Sequence, residues 1–279
     1  MKQCPEMPAL DEVEFSGHVW VQELPTGGEF RFQVAASGFV TFATTEQSFD
    51  TVAAVPPQFR RAAELINERL DRDALEAATD DPSSVAFCGI ATRNEGVEYD
   101  WDSVPPFVGV DIWSEQKEKF LSPDAATAVF DRLGLPTLPA IEKELAAAHA
   151  DFTRYADQRG FPQSAWRDGQ AGGVLIRDKS GNRAVAWSDE RGREPVSEPQ
   201  PAEELAAEYA TNKRIEQTVA ALQAEGHSVA VDAVRDRLVA DVAREEYGDL
   251  FAQGEFVASL SAFQSAVAER VQQYQSEGE

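Results

Sequence analysis

The stretch ELPTGGEF at residues 23–30 places a Pro-Thr-Gly-Gly loop between two strand-like runs. A glycine pair lets the backbone come close to a ligand, although most such loops are plain hairpin turns. All candidate functional residues lie before residue 190. Their motifs follow one another in a fixed order: FCGIAT at 87–92, FVGVDIW at 107–113, GGVLIRD at 172–178 and RAVAW at 183–187.

Strands and helices can be predicted outward from these motifs. Apolar runs and alternation predict strands at 18–23, 29–35, 39–44, 85–91 and 107–113, and a hairpin over 173–188. A one-sided apolar pattern predicts a helix over 57–70. Ser122 and Pro123 mark the start of another helix, which ends at Gly134. From there to about Trp166 the sequence has a helical and irregular character.

The C-terminal part has a different character. The charged, proline-rich segment 189–201 is predicted to be a linker. Beyond it, three apolar stripes at helical spacing predict a three-helix appendage, and we interpret them as core rather than as interaction surfaces. They comprise Leu205, Tyr209, Ile215, Val219 and Leu222, then Val234, Leu238 and Val242, and finally Leu260, Phe263, Val267, Val271 and Tyr274. The expected fold class is α+β, an antiparallel-sheet body at 1–190 with a C-terminal α-helical domain at 201–279.

The charge is strongly negative. The 279 residues include 49 acidic and 25 basic side chains, a formal net charge of -24. Because 43% of the residues are apolar, the chain has enough material for a core. Molar salt screens the self-repulsion of such a charge, so we interpret the chain as a salt-adapted, soluble, cytoplasmic protein. An acidic binding protein from a low-salt cytoplasm is the alternative, and the small number of lysines, six among the basic residues, argues against it.

Other classes of protein find little support. Cys4 and Cys88 are too few for a disulfide framework and have no metal-ligand spacing, and the three histidines are far apart, so no metal site is predicted. The N-terminus lacks the apolar core of a signal peptide, and nowhere do 18 apolar residues follow one another, so we expect neither secretion nor a membrane span.

The five motifs, taken together, resemble those of the covalent nucleotidyltransferases, specifically the ATP-dependent RNA ligase family as it occurs in salt-loving archaea. The resemblance covers most of the chain, including the helical tail. It implies an RNA-ligase-type nucleotidyltransferase body and a nucleotide site. The positions that correspond to that site are Glu23, Leu24, Thr26, Gly27, Phe30, Arg31, Ile90, Asp111, Gly172, Gly173, Arg177 and Val185.

The reactive residues of the family are replaced. Its nucleophilic lysine, which attacks the α-phosphate of ATP, corresponds to Leu24, and no lysine occurs between Lys2 and Lys117. The acidic residue two positions on corresponds to Thr26, and an arginine usual in the family is replaced near Thr45. Two glutamates and a second lysine correspond to Ile90, Gly172 and Val185. These replacements predict that no catalytic residue of the family type remains.

The resemblance and the replacements together predict an RNA-ligase-like protein deficient in self-adenylation. Such a pseudoenzyme would bind ATP or AMP with Mg, RNA, or an active ligase partner. One alternative is a working ligase or nucleotidyltransferase that uses other groups, namely Glu23, Glu29, Arg31, Asp111 and Arg177, or a pre-activated substrate. A second is a purely structural interaction protein. The basic clusters at 60–61 and 191–193 are interpreted as solvated surface rather than as a phosphate track.

Overall fold

The computed structural model describes residues 1–156, 160–189, 191 and 199–277. It divides into two compact units, Met1–Gly192 and Arg193–Glu279, which are described separately. The domain bounds 1–190 and 201–279 stay a prediction. Residues 190 and 192–198 of the expected linker lie outside the described residues.

The strands of the first unit are β1 His18–Glu23, β2 Gly27–Val34, β3 Val40–Ala43, β4 Ser48–Phe49, β5 Val85–Thr92, β6 Phe107–Ser114, β7 Lys119–Phe120, β8 Ala140–Ala146, β9 Gly173–Asp178 and β10 Arg183–Trp187. Its α-helices are α1 Pro57–Arg69, α2 Arg72–Ala78, α3 Pro123–Arg132 and α4 Thr153–Ala156. Short 3-10 helices lie at Leu10–Glu12, Val52–Ala54, Pro82–Ser84 and Ala147–His149. The strands predicted around the five motifs are therefore confirmed to within two residues at their ends.

Six strands form one antiparallel sheet in the order β4-β3-β2-β5-β6-β7. Alternate residues of β2, β5 and β6 point into a phenylalanine-rich core that α1 and α3 cover. Phe32 stacks on Phe87 with ring centroids 4.5 Å apart. At Gly109, a Cβ would lie 2.6 Å from the ring of Phe130, so only glycine lets α3 pack this closely. This core holds the sheet and leaves its other face free to meet the second sheet.

Four strands form the second antiparallel sheet, in the order β10-β9-β1-β8. Strand β1 is central, and its partners come from distant sequence: Val21 pairs with Ile176 of β9 and with Glu142 of β8. One face packs on Tyr155 and Phe161. The other face meets the six-stranded sheet, because Leu175 shares a buried cluster with residues of β5 and β6.

Strand β8 corrects the sequence analysis. Residues 140–146, AIEKELA, were expected to belong to a helical or irregular segment, yet they pair with β1. Their helical propensity is overridden because β1 would otherwise expose an unpaired edge. The register shifts twice along this pair, and Glu144 adopts a φ of 55°, so β8 is an irregular edge strand.

The second unit contains α5 Ala202–Tyr209, α6 Asn212–Ala224, α7 Val231–Glu245, α8 Tyr247–Leu250 and α9 Leu260–Glu277. A two-stranded hairpin, β11 Phe251–Ala252 with β12 Glu255–Phe256, lies between α8 and α9. The expected count of three helices is therefore wrong. The first predicted stripe is split, because Thr211 caps α6 by accepting a hydrogen bond from the Arg214 backbone N–H. The apolar stripes form the core of this unit, as predicted.

Candidate functional site

The replaced positions of the five motifs meet between the two sheets of the first unit. Leu24 directly follows β1 and Ile90 lies on β5, and both belong to one buried apolar cluster; Val185 of β10 is partly buried and packs against that cluster. Leu24 is 1% exposed and Ile90 8%. The cluster, called here the intersheet cluster, also contains Val97, Tyr99, Val104, Val108, Val110, Leu138, Trp166 and Leu175, with Met7, Trp101 and Trp187 partly buried against it.

The fourth motif leaves no room for a carboxylate at this place. A Cβ at Gly172 would lie 2.5 Å from the Tyr99 hydroxyl oxygen and 3.1 Å from a methyl of Val97. A Cβ at Gly173 would lie 2.5 Å from the ring of Trp187. The side chains of Tyr99 and Val97 thus occupy the space that a glutamate at 172 would need.

The loop of the first motif is held by backbone contacts. A Cβ at Gly27 would lie 2.2 Å from the carbonyl oxygen of Ala91, so the close pairing of β2 with β5 requires glycine there. Thr26 is buried, and its hydroxyl donates to the carbonyl oxygen of Arg93 over 2.7 Å. Both residues therefore serve turn geometry in this structure.

Phe30 and Arg31 point to opposite faces of β2. Phe30 stacks on Phe42 and Phe59 inside the six-stranded sheet's own core, away from the intersheet cluster. The guanidinium of Arg31 lies 3.1 Å from the Glu29 carboxylate and donates to the carbonyl oxygens of Lys2 and Thr44. Burial raises the pKa of Glu29, and the charge of Arg31 opposes that rise.

Glu23 is a buried carboxylate next to Leu24. It accepts hydrogen bonds from the Ser164 hydroxyl over 2.5 Å and from the Ala165 backbone N–H over 2.7 Å. Burial raises the pKa of Glu23, and these two hydrogen bonds and the nearby Arg167 partly offset it. The carboxylate is thus engaged in holding the 164–165 turn, which the sequence analysis did not single out.

Asp111 and Arg177 also lie between the two sheets, outside the intersheet cluster. Arg177 donates to Asp111 over 3.1 Å, to the carbonyl oxygen of Val110 over 2.6 Å and to the side-chain oxygen of Gln22. Arg183 donates to the other carboxylate oxygen of Asp111. Asp111 and both arginines are at least nine-tenths buried. This network ties β1, β6, β9 and β10 together and leaves the carboxylate fully paired.

The N-terminal segment, residues 2–9, closes over this space. Cys4 and Cys88 form a single disulfide, a pairing that the sequence did not predict. Met7 packs on the intersheet cluster, and the carbonyl oxygen of Pro8 accepts a hydrogen bond from the Val185 N–H over 2.9 Å. Ala9 bridges Val185 in parallel, so the segment covers the edge of β10. No local sequence signal pointed to this arrangement.

The intersheet cluster does not fit ATP or AMP with Mg in the way that the family site implies. A nucleotide phosphate needs cations or backbone donors, and Mg²⁺ needs oxygen ligands, whereas the positions in question carry Leu24, Ile90, Gly172 and Val185. Among the described residues, no group of three or more His, Cys, Asp or Glu side chains is placed to hold a metal ion.

A search of the described helices for a membrane-spanning segment finds none that combines the required length with the required apolar character.

Comparison with known proteins gives a result for fold only. No protein-family model matches the chain, and no curated protein matches it. Two solved structures of an archaeal ATP-dependent RNA ligase match with a TM-score of 0.50 each. Form 1 is 16% identical over 100% of this chain and 67% of that chain, and form 2 is 18% identical over 89% and 64%.

An RNA ligase of Naegleria gruberi, solved as a point mutant without ligand, matches with a TM-score of 0.51 at 13% identity, over 67% of this chain and 56% of that chain. The chain thus spans 67% of the form 1 archaeal ligase chain and less than two thirds of the form 2 chain and of the Naegleria ligase chain. At these identities the likeness is one of fold. The chain has an α+β architecture of antiparallel sheets and C-terminal helices, similar to that of the RNA ligase nucleotidyltransferases.

Proposed function

We propose that this chain is an RNA-ligase-like protein that does not adenylate itself and that acts as a binding module for RNA, a nucleotide or an active ligase. One observation carries the proposal: Leu24, Ile90 and Val185 pack in a single apolar cluster. Self-adenylation requires an amine nucleophile and charges that stabilise the transferring phosphoryl group. An apolar cluster supplies neither the nucleophile nor the charges. The fold can therefore still bind a ligand, but it lacks the groups for self-adenylation.

The direct test is incubation with ATP and magnesium or manganese in molar KCl, followed by intact-mass spectrometry. We expect no covalent AMP on the chain, while an active RNA ligase treated in parallel gains one. A stable AMP adduct on this chain would overturn the proposal.

A working enzyme with other catalytic groups is the second candidate. Its residues are Glu23, Glu29, Arg31, Asp111 and Arg177, and each already has a partner within the fold. A group that is held by structural hydrogen bonds is poorly placed to act on a substrate. We therefore expect no joining of a pre-adenylated RNA to an acceptor strand, measured on a denaturing gel. Efficient joining would favour this candidate instead.

A purely structural role is the third candidate, and a binding assay separates it from the first. A binding module retains RNA, nucleotide or an active ligase in solution, whereas a structural protein retains none of them. The assays for RNA and nucleotide are calorimetry with AMP and fluorescence anisotropy with a short single-stranded RNA. The assay for a protein partner is co-purification of this chain with an active ligase in molar salt.

The proposed setting is a cytoplasm of high salt. The net charge of -24 supports it, because the Debye length shrinks to about 3 Å at 1 M salt and the carboxylates then repel one another little. We expect the free energy of unfolding to fall as KCl is lowered from molar to about 0.1 M, where the Debye length is about 10 Å. Unchanged circular dichroism and unchanged unfolding midpoints across that range would contradict a salt-adapted chain.

A further inference from the structure

A cavity of about 860 Å³ opens beside the buried Asp111 network. It lies between the two sheets, because β6 supplies Trp113 and β9 and β10 supply Arg177 and Arg183. It is a different place from the intersheet cluster: Leu24, Ile90 and Val185 do not line it. Its volume is in the range of sites that take small ligands.

The charge of this cavity is opposite to that of the chain. Five cationic side chains line it, namely Lys117, Lys119, Arg177, Lys179 and Arg183. The whole chain has six lysines, and three of them are here. The Lys2 ammonium adds a further cation, 4.0 Å from the centre of the Trp113 ring, and this ring also lines the cavity. A chain that uses so few lysines has concentrated them in one concave place.

The two carboxylates in the lining are already engaged. Asp111 is paired with Arg177 and Arg183. Asp178 accepts hydrogen bonds from the backbone N–H groups of Ser180 over 2.8 Å and Asn182 over 2.9 Å, and from the Asn182 side chain over 2.7 Å. Neither carboxylate therefore has to be displaced by an anion that enters.

Two of the lysines have no competing partner. Among the residues that the structure describes, no carboxylate lies within ion-pair distance of Lys117 or Lys119, and both side chains are exposed. Lys179 pairs with Glu144 over 2.8 Å, but both side chains are about half exposed, and such pairs contribute little. The ammonium groups are thus available to an incoming anion.

Phosphate is the anion that this set of donors suits. Lysine side chains that converge on one concave place are a common means by which proteins hold phosphate groups. An aromatic wall accompanies them, since Trp113 and Phe120 pack edge to face with ring centroids 5.0 Å apart and both line the cavity. Aromatic rings next to phosphate-binding cations are typical of sites for nucleotides and single strands.

We infer that this cavity binds the phosphate of a nucleotide, either a free nucleoside monophosphate or the 5′ end of an RNA strand. Lys117 contacts the phosphate from the β6–β7 turn, Lys119 from the start of β7, and Lys179 from the β9–β10 turn. The inference rests on the proposed binding role and gives it a site, away from the place where the replaced motif residues meet.

The test compares two double variants of the full chain. Lys117→Gln/Lys119→Gln removes two charges from the cavity, and Lys143→Gln/Lys213→Gln removes two exposed lysines elsewhere. The probes are AMP, followed by calorimetry, and a short labelled single-stranded RNA with a 5′-phosphate or a 5′-hydroxyl, followed by fluorescence anisotropy. All measurements are made at the lowest KCl concentration at which circular dichroism reports all three proteins folded, because salt weakens phosphate contacts.

We expect the cavity variant to bind the phosphorylated probe about tenfold more weakly, the loss expected when charge-assisted contacts are removed, and the control variant to change by less than about twofold. Loss of both AMP and RNA binding identifies a free nucleotide as a ligand, and loss of RNA binding alone identifies the 5′ end.

Equal effects of the two variants on AMP and on phosphorylated RNA would overturn the cavity site while leaving the binding module in place. The same holds if the RNA affinity does not depend on the 5′-phosphate and the cavity variant binds AMP as the wild type does. Absence of binding to both probes would also overturn the site. The adenylation assay is independent of all these outcomes, so failure of this inference can be told from failure of the proposed function.

Discussion

Replacing Leu24 by lysine tests how far the apolar cluster excludes chemistry. Leu24 is 1% exposed, and the cluster around it consists of aliphatic and aromatic side chains. An amine placed there must either stay charged in an apolar environment or lose its proton. Giving up the proton at pH 7 costs about 5 kcal/mol, from a normal lysine pKa near 10.4 and about 1.4 kcal/mol per pKa unit.

We therefore expect Leu24→Lys to lower the free energy of unfolding by about 3–5 kcal/mol, since the lysine stem retains part of the apolar packing and local relaxation recovers some of the cost. Leu24→Met is the matched control, because a change that conserves volume and polarity costs less than about 1.5 kcal/mol. Denaturant unfolding in molar KCl gives both values.

The pH dependence identifies the cause. A lysine whose pKa is depressed in the folded state binds fewer protons there than in the unfolded chain. The stability of Leu24→Lys should therefore rise as the pH increases toward about 10, and that of Leu24→Met should not follow it.

The same variant is incubated with ATP and metal and analysed by mass. A single restored amine should remain inert, because catalytic groups that act as a unit are strongly non-additive. The reasoning is refuted if Leu24→Lys is as stable as Leu24→Met, or if it gains AMP efficiently.

Three further changes address other parts of the molecule. Cys88→Ser breaks a disulfide between residues 84 apart, and denaturant unfolding should show that the free energy of unfolding falls by about 2–4 kcal/mol. Wild type that is as stable reduced as oxidised would contradict this prediction. Asp111→Asn leaves two buried guanidiniums uncompensated, and a loss of about 3–5 kcal/mol is expected; a change below about 1 kcal/mol would mean that the network is dispensable. Burial and the repulsion of Asp241 raise the pKa of Glu245 to about 7, so ionising it penalises the folded state as the pH rises from about 4.5 through 7. Glu245→Gln should gain up to about 3 kcal/mol at pH 8 and little at pH 5, and equal gains at both would refute the assignment.

The strands that carry the motifs could be predicted because their signals are local. Alternation in β2 and β3 and the apolar runs of β5 and β6 report which faces are buried, and the Ser180–Asn182 turn marks the last hairpin. Strand β8 could not be predicted in this way. Its residues have a helical preference, and only the distant β1 makes them extended.

In the candidate site, too, some features could be predicted from the sequence and others depend on contacts between distant residues. That the replaced motif positions share one site is what the family resemblance implies, and the structure brings Leu24, Ile90 and Val185 together. The disulfide joins distant positions, and neither cysteine has a neighbour in sequence that suggests the pairing.

The basic cavity has no local sequence signal, because its lysines are spread between residues 117 and 179, whereas the basic residues Arg60 and Arg61 are adjacent. Arg60 donates to the Val55 carbonyl oxygen and Arg61 pairs with the Glu64 carboxylate, and the Arg61 side chain is only 16% exposed. The interpretation of this pair as solvated surface stays a prediction. The scarcity of lysine was the usable signal.

The connectivity of β1 also sets an order of assembly. All strands of the six-stranded sheet lie between residues 27 and 120, so that sheet can pair completely while later residues are still being synthesised. Strand β1 precedes them but has both of its partners after residue 139. During synthesis its apolar run VWV therefore waits, unpaired, for more than a hundred residues. The space between the sheets, with its apolar cluster and its basic cavity, is consequently among the last parts of this unit to form, and a nascent chain that stalls before β9 presents an open strand to its neighbours.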